Sequence, residues 1–556
     1  MKVADYLVDF LAKRGVTDVY GIPGGVVLDL LYAFDRDGTV KPHLSYHEQG
    51  AAFEACGYAQ YQHKLGVAYA TRGPGFTNMI TGIADAYSDS LPVMFITAHS
   101  GRAVGNTMRY EEEQEMNTVA IVSSITKYAQ VVEKVEEVCD AVHNAYQSAV
   151  SGRKGPVLLD FSASLWNKEL EPMQLKEVKD ELANADVIQD IVEGLEMASR
   201  PIFLVGDGIR QSNIADVFME LADKMRIPVL SSRCSQDVGA VCQNYFGYVG
   251  SHGIRYSNFI FAKSDFVIAL GNRLAFPINS ESFSKALQNK KMIRVDIDES
   301  EFNKKIPSSK EYLCDANAVI KGLLKKTFNM NSYSSWIEVC YNLKKQLASY
   351  DLNDATQKIE SVLTQLGQND VICCDVGNNE FWVSRAYVNA GVNNRILYSK
   401  SFGVLGCAIP KAIGAAHASG SPVICLTGDQ GFQLNSQELQ VIAQEKLPVH
   451  VFIINNRSSG MIRSREKVRY AEKYVHTTLQ TGYGLPKIEA IARAYEIPYV
   501  KYEEYKESDV DRTSPLIVEI EIDEEIDLYP NLPRGNECQN MSPLLPVELY
   551  DKLNSL

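Results

Sequence analysis

The sequence predicts an α/β fold with three doubly wound domains whose sheets are mainly parallel. Patterns typical of buried strands alternate with helical patterns, and this alternation recurs in three blocks of similar size along the 556-residue chain. A chain of this length has room for about three or four domains of ~150 residues. Polar stretches separate the blocks and place the predicted domains at residues 1–170, 187–330 and 351–530, followed by a mostly irregular tail, 531–556, that ends in a short helix.

Short apolar runs mark the predicted strands of each block in turn. PVLLDF closes the first block, and PIFLV, FVIAL and MIRVDID follow one another in the second. In the third block, one run ends at Thr427 and another covers Val449 to Ile454. Runs of this length suit buried strands better than helices. The chain begins with MKVADYLVDFLAKRGV, which predicts an amphipathic helix and lacks the apolar core of a signal peptide.

Composition excludes several classes of partner. The net charge is −14, with acidic residues scattered rather than blocked, so the overall field disfavours nucleic acid and anionic membranes. No apolar run approaches the ~20 residues that span a bilayer. The 11 cysteines lack C-x-x-C and His-paired zinc spacings, and several lie in apolar strands, so we expect reduced thiols and a cytoplasmic protein.

The segment CLTGDQGFQLNSQELQVIAQEKLPVHVFIINNRSSGM predicts a clamp for magnesium and a diphosphate. The turn GDQG should lead from the first strand into a helix over residues 433–444, and the second strand ends in an Asn pair. Because parallel strands of a βαβ unit finish at one sheet edge, the Asp429 carboxylate and the Asn456 amide oxygen can converge there. Magnesium prefers oxygen ligands shared with phosphates. The alternative is an ordinary crossover with an Asp cap and a turn Asn.

Each candidate functional residue of the first block also has a purely structural interpretation. Glu48, in YHEQG, precedes a helix-like run, where a first-turn Glu is favoured by the helix dipole. The glycines of PGG and RGPG could form tight strand-to-helix turns. Gln114, within EEEQEMN, could be a solvated polar residue at a helix start. A second GDG, at residues 206–208, lacks a following Asn pair and is interpreted as a decoy.

Together, GDQGF with its distant NN, YHEQG, VYGIPGG, ATRGPGF and KSFGVLG resemble the acetolactate synthase-like family of thiamine-diphosphate-dependent enzymes over essentially the whole chain. The resemblance implies pyrimidine-binding, central and diphosphate-binding domains, with thiamine diphosphate and Mg²⁺ as cofactors. It implies decarboxylation of a 2-oxo acid, with pyruvate as the expected donor, and transfer of the acyl carbanion to an acceptor carbonyl by a homodimer or homotetramer. The alternatives are a non-ligating 2-oxo acid decarboxylase and a catalytically silent cofactor-binding subunit.

The resemblance also implies roles for individual residues. Glu48 would hydrogen-bond N1′ of the aminopyrimidine, and Gln114 would point toward bound intermediates, so both are catalytic candidates. Mg²⁺ would be held by Asp429, Asn456 and the carbonyl of Ser458. The other predicted cofactor-binding residues are Gly24, Gly25, Gly73, Gly377, Asn378, Asn379, Gly403, Leu405, Gly428, Gln430, Gly431, Gly460 and Met461, and the predicted substrate residues are Gln114, Ile462 and Arg465.

The chain departs from the family pattern in the substrate region. Gln430 replaces a Gly, and Arg465 stands where relatives that make branched-chain amino acids have a Trp. An arginine fork suits a carboxylate or phosphate and changes which acceptor fits. The tail segment GNECQNMSPLLP and the segment ITKYA resemble relatives of surface-sugar biosynthesis, which implies a keto-sugar nucleotide or another small carbonyl compound as the acceptor. LGNRL at residues 270–274 continues as AFPINS, without the family's Asp-Asp-Arg. The nearby LVGDGI and GSHG resemble a region where some relatives bind structural FAD, and an empty remnant is the competing interpretation.

Overall fold

The computed structural model describes residues 1–100, 113–173, 185–275, 281–288, 290–303, 306, 309–328 and 333–556. Within these residues the chain forms three six-stranded sheets, and every strand pair is parallel. Helices cover both faces of the sheets. The predicted α/β class is therefore confirmed, with sheets that are wholly rather than mainly parallel, whereas the domain boundaries stay predictions.

The N-terminal sheet has the order β2-β1-β3-β4-β6-β5. Separate apolar clusters pack on its two faces, as expected for a doubly wound sheet. Its elements are α1 Val3–Lys13, β1 Asp18–Gly21, α2 Leu28–Asp37, β2 Lys41–Leu44, α3 Glu48–Gln62, β3 Gly66–Tyr69, α4 Pro74–Asp89, β4 Val93–His99, α5 Thr118–Val122, β5 Tyr128–Val132, α6 Val135–Val150 and β6 Val157–Ser162.

The central sheet has the order β12-β11-β10-β7-β8-β9. The runs PIFLV, FVIAL and MIRVD form buried strands, as predicted. The elements are α7 Ala185–Met197, β7 Pro201–Val205, α8 Asp207–Gln211, α9 Ala215–Met225, β8 Val229–Ser231, α10 Gln236–Gly239, β9 Tyr245–Tyr248, α11 Arg255–Lys263, β10 Phe266–Leu270, α12 Glu281–Leu287, β11 Lys291–Asp296, β12 Ser309–Leu313, α13 Ala316–Leu324 and α14 Ser334–Leu347.

The C-terminal sheet has the order β14-β13-β15-β16-β18-β17. The tail that follows it is largely irregular and ends in a helix. The elements are α15 Asp354–Leu363, β13 Val371–Cys374, α16 Asn378–Ala390, β14 Ile396–Tyr398, α17 Ala408–Ser419, β15 Val423–Gly428, α18 Asp429–Leu434, α19 Leu439–Glu445, β16 Val449–Asn455, α20 Gly460–Arg469, α21 Ile488–Ala494, β17 Tyr499–Lys501, β18 Leu516–Glu521 and α22 Val547–Ser555.

The helix predicted over residues 433–444 is wrong as a single element. The chain forms α18 and α19, with a 3₁₀ turn over Ser436–Glu438 between them. Asn435 breaks the helix because its side-chain amide donates to the carbonyl of Gly406, at 2.8 Å. An Asn side chain that bonds backbone in this way competes with helical hydrogen bonding.

The N-terminal and C-terminal sheets are joined by close packing of α3 against α17. A Cβ at Gly414 would overlap the backbone oxygen of Glu54, and one at Gly57 would overlap that of Lys411. The backbones can approach this closely only because glycine has no side chain. Lys411 is buried and pairs with Asp85 at 2.8 Å. The contact therefore depends on small residues on both helices.

A histidine pair links the same two domains at the edge of this contact. The ring nitrogens of His43 lie 2.8 Å from Asp18 and 3.0 Å from Glu445. The ring of His417 stacks on it at 3.8 Å, and its Nε2 lies 3.2 Å from Glu445. Burial disfavours the charged ring of His43, but hydrogen bonds to the two carboxylates outweigh burial and raise its pKa. His43 therefore links the two domains through Asp18 on one side and Glu445 on the other.

Two further features concern the predictions of reduced thiols and of no membrane span. All 11 cysteines are free thiols, and ten of them are buried. Among the described residues, no helix is both long and apolar enough to cross a membrane.

Candidate active site

Asp429 lies where β15 turns into α18 and is buried, with 4% of its surface exposed. Its Oδ1 accepts hydrogen bonds from the backbone of Gln430 at 2.8 Å and the hydroxyl of Tyr483 at 3.0 Å. Its Oδ2 is buried and has no hydrogen-bond partner among the described residues. Burial, only partly offset by these hydrogen bonds, raises the pKa of Asp429 to about 6. A cation at Oδ2 would supply the missing partner.

Asn456 follows the neighbouring strand, since β15 and β16 pair in parallel with Gly428 opposite Ile454. Its Oδ1 accepts from the backbone N–H of Ser458 at 3.3 Å. Ser458 is buried, and its carbonyl accepts from the N–H of Gly460 at 2.8 Å, which leaves the second lone pair of that oxygen for a metal. The predicted metal ligands therefore come from adjacent strand ends.

Asn378, at the start of α16, joins the same site. A Cβ at Gly460 would lie 2.6 Å from Asn456 Nδ2 and 2.9 Å from Asn378 Nδ2, so the three residues meet at one place. Both polar side-chain atoms of Asn378 are buried without a partner among the described residues. Buried amides are rarely left unpaired, so this side chain fits a role in binding a phosphate oxygen.

Asn379 and Gly377 shape this turn in a different way. The Asn379 amide donates to the carbonyl of Asp375 at 2.8 Å, and its Oδ1 lies 3.3 Å from the position of a Cβ at Gly428. Gly377 has φ of +120°, which L side chains rarely adopt. Both residues therefore hold the loop in place, and the predicted cofactor-binding role of Asn379 stays a prediction.

Asp375 is a site residue that the sequence analysis missed. Its buried carboxylate accepts from the backbone N–H groups of Val376 at 2.7 Å and Gly406 at 2.9 Å, and from the Thr427 hydroxyl at 3.1 Å. A Cβ at Gly431 would lie 2.9 Å from Asp375 Oδ2. Asp375 thus ties three loops together, and its only sequence signal is an Asp that ends a buried strand.

Four residues predicted to bind cofactor or substrate lie nearer the protein surface than Asp429 does. Gln430 is exposed, whereas Gly431 is buried and approaches Asp375. Gly403 has φ of +70° and no neighbour within 4 Å of a Cβ, and Leu405 is half-buried. Ile462 is 44% exposed. Their cofactor- and substrate-binding roles stay predictions.

Glu48 is the first residue of α3 and lies half-buried in the N-terminal domain. The side-chain amide of Asn78 donates to Glu48 Oε2 at 2.9 Å, whereas Oε1 has no hydrogen-bond partner among the described residues. A Cβ at Gly75 would lie 3.2 Å from Oε1. Asn78 therefore fixes the carboxyl group and leaves one oxygen available.

The other candidates of the first block lie on loops near Thr71, Gly75 and Gln114. A Cβ at Gly24 would overlap the side chain of Thr71, which also lies 2.8 Å from the Cβ position of Gly75. Gly73 has φ of +61°, and its Cβ position lies 2.6 Å from Cβ of Gln114. Gln114 itself is exposed with φ of +62°. Gly25 has open space around it.

Glu438 is a second residue that the sequence analysis missed. It is fully buried, and its Oε2 accepts from the backbone N–H of Tyr46, two residues before Glu48, at 3.1 Å. Burial raises the pKa of Glu438 to about 7, opposed by its hydrogen bonds and supported by the charge of Glu48. No sequence pattern singled it out, since its partner lies 392 residues away.

A cavity of about 1290 Å³ lies among the three domains. Asn378 and Met461 line it, but Glu48 and Asp429 do not. Arg465 on α20 also faces it. The other walls come from loops of the central domain, including residues 206–208, 248–253 and 271–275.

The glycine-rich turn of the central domain is explained by packing. A Cβ at Gly206 would overlap the carbonyl of Gly271, and one at Gly208 would lie 2.7 Å from Gly271 Cα. Asp207, between them, pairs with Lys400. The close approach of this turn is thus to another loop and gives no support for FAD, which stays an untested prediction. The GDG at 206–208 has no part in the Asp429 cluster, which agrees with its interpretation as a decoy.

Three family models match the chain in order. The thiamine pyrophosphate enzyme N-terminal TPP binding domain matches residues 1–121, the central domain 188–323 and the C-terminal TPP binding domain 375–514. The acetolactate synthase large subunit of Lactococcus lactis subsp. lactis is 30% identical over 555 residues, covering 96% of this chain and 94% of the relative. The acetolactate synthase isozyme 2 large subunit of Escherichia coli is 30% identical over 563 residues, covering 97% and 99%.

Proposed function

The chain belongs to the acetolactate synthase-like family of thiamine pyrophosphate enzymes, and from that premise we propose that it decarboxylates pyruvate and joins the acyl carbon to an acceptor carbonyl. The observation that carries the proposal is the meeting of Asn456 and Asn378 at Gly460, with Asp429 at the end of the paired neighbouring strand and with buried polar atoms of Asp429 and Asn378 unpaired among the described residues. That donor and acceptor set fits Mg²⁺ and a diphosphate.

Each of these residues has a defined task. Asp429 and Asn456, with the carbonyl of Ser458, would hold Mg²⁺ through oxygen, and the Asn378 amide would donate to a phosphate oxygen. Thiamine diphosphate, when bound, supplies a carbon nucleophile and a sink for the electron pair that remains when CO₂ departs. Glu48 exchanges a proton at N1′ of the aminopyrimidine through its available oxygen, Oε1.

The reaction replaces one carbon–carbon bond by another. The bond between the carboxylate and the keto carbon of pyruvate breaks and CO₂ leaves. A new bond joins the former keto carbon to the acceptor carbonyl carbon, whose oxygen takes up a proton. Arg465 lines the cavity beside Met461, where a Trp would favour a small apolar acceptor, so the acceptor we propose is a keto-sugar nucleotide rather than a second pyruvate.

The site is complete only between two chains in the arrangement that we propose. Glu48 and Asp429 belong to separate sheets, and exposed apolar side chains lie near both, among them Tyr46 at 42%, Leu434 at 50% and Ile462 at 44%. A homodimer, or a homotetramer built from it, would cover these surfaces and place Glu48 of one chain opposite Asp429 of another. Obligate interfaces of this type bury roughly 2,000 Å² or more.

Release of CO₂ tests the proposal directly. Purified protein is mixed with thiamine diphosphate, Mg²⁺ and pyruvate, and CO₂ and carbon products are measured with and without a carbonyl acceptor. We expect CO₂ release in both cases and a ligated product with the acceptor. The Asp429→Ala protein serves as the inactive control. CO₂ with acetaldehyde as the sole product would indicate a non-ligating decarboxylase, and absence of CO₂ release from any 2-oxo acid would indicate a silent subunit.

A further inference from the structure

Helix α20 presents two arginines to the large cavity. Arg465 and Arg469 both line it, as does Met461 at the start of the helix. The three residues are spaced by four, so they share one face of the helix. With a rise of 1.5 Å per residue, Arg465 lies about 6 Å and Arg469 about 12 Å along the axis from Met461.

These two arginines differ from the cations around them. Neither Arg465 nor Arg469 forms an ion pair or a hydrogen bond among the described residues. Three other cations of the cavity are paired: Arg233 with Glu380, Lys400 with Asp207, and Lys467 with Asp527. Like charges four residues apart destabilise a helix. An anion that contacts both guanidinium groups would remove that penalty.

A histidine of the same cavity is subject to positive charge from nearby arginines, Arg465 among them. His252 lines the same cavity and its ring packs edge-on against Phe381 at 4.8 Å. Burial, together with the charges of Arg385, Arg233 and Arg465, lowers the pKa of His252 to about 4. The imidazole is therefore neutral at pH 7 and adds no positive charge of its own beside the arginines.

We propose that Arg465 and Arg469 bind the diphosphate of the acceptor, a keto-sugar carried on a nucleoside diphosphate, while its carbonyl points toward Met461. This inference rests on the proposed carboligase function and names the substrate class of that site. The spacing of the two arginines from Met461 supports it, because a diphosphate separated from the carbonyl by a sugar ring matches that distance better than a carboxylate bonded directly to its carbonyl. Arginine forks match phosphate oxygens in pairs.

Binding of UDP to the holoenzyme tests the inference. Wild-type protein, saturated with thiamine diphosphate and Mg²⁺, is titrated calorimetrically with UDP and, separately, with FAD. We expect UDP to bind, and Arg465→Gln and Arg469→Gln each to weaken binding about tenfold, as for loss of a charged hydrogen-bond donor. Arg493→Gln is the matched control, since Arg493 is exposed on α21 and does not line this cavity. It should leave UDP binding unchanged.

Three results would overturn the inference. They are absence of UDP binding, UDP binding that neither cavity substitution weakens, and FAD binding that shows the same dependence on both arginines. The last would assign the pair to a resident dinucleotide. CO₂ release from pyruvate by the wild-type protein is measured in the same preparation. Release without UDP binding refutes the diphosphate assignment alone, whereas failure of release refutes the proposed function itself.

Discussion

Alanine at position 460 should disable the diphosphate clamp without unfolding the protein. Its Cβ would lie 2.6 Å from Asn456 Nδ2 and 2.9 Å from Asn378 Nδ2. Ordinary contacts between heavy atoms are near 3.5–4.0 Å, so each amide must retreat by roughly 1 Å. A magnesium ligand must stay near ~2.1 Å from the ion, and a shift of that size removes Asn456 from the coordination sphere.

The expected consequence is a loss of cofactor affinity of about 10 to 100-fold, the range found when groups that orient metal ligands are lost. Calorimetric titration of thiamine diphosphate at fixed Mg²⁺ measures it, with circular dichroism to verify folding. Gly484→Ala is the control, because a Cβ there meets nothing within 4 Å. A folded Gly460→Ala protein with wild-type affinity for the cofactor would refute the placement of Asn456 and Asn378 at the clamp.

Three further changes probe other parts of the molecule. Glu48→Gln should keep cofactor binding but slow proton exchange at thiazolium C2 by about 10² to 10⁴-fold, measured by deuterium exchange; wild-type exchange would exclude the acid–base role. Gly414→Ala should destabilise the protein by about 1–3 kcal/mol in denaturant titrations, because the new methyl overlaps the Glu54 carbonyl, and an unchanged midpoint would contradict that packing. The raised pKa of His43 contributes stability that is present below ~6.5 and lost as pH rises through the folded-state pKa. The His43→Gln substitution should therefore lower the melting temperature more at pH 6 than at pH 8.5. An equal decrease at both pH values would contradict a stabilising charge on His43.

The sequence predicted the features that depend on residues close to one another along the chain. Strand ends are readable from apolar runs, and parallel pairing brings them to one edge, so Asp429 and Asn456 could be placed together in advance. Glu48 could be placed at a helix start because the residues that follow it have a helical pattern. These predictions needed only the periodicity of the chain and the rule that parallel strands share a direction.

Features that depend on contacts distant in sequence were not predictable. The break at Asn435 arises from a bond to Gly406, on a separate loop. Glu438 and His43 meet partners 392 and 402 residues away. Asp375 resembles any Asp at the end of a strand until three loops converge on its carboxylate. Such contacts depend on how one domain packs against another, and the periodicity of the sequence does not encode that packing.

The most direct test of the shared site is complementation between two inactive proteins. Glu48→Gln lacks the proton-transferring group, and Asp429→Ala lacks the charge that holds Mg²⁺, so each homo-oligomer should be inactive. If Glu48 of one chain faces Asp429 of another, a hybrid dimer carries one site with both lesions and one with neither. After subunit exchange, verified by mass spectrometry of intact complexes, activity should return toward half of the wild-type value per hybrid dimer. Verified exchange with no recovery of activity, or full activity in a protein that sediments as a monomer, would contradict the shared site.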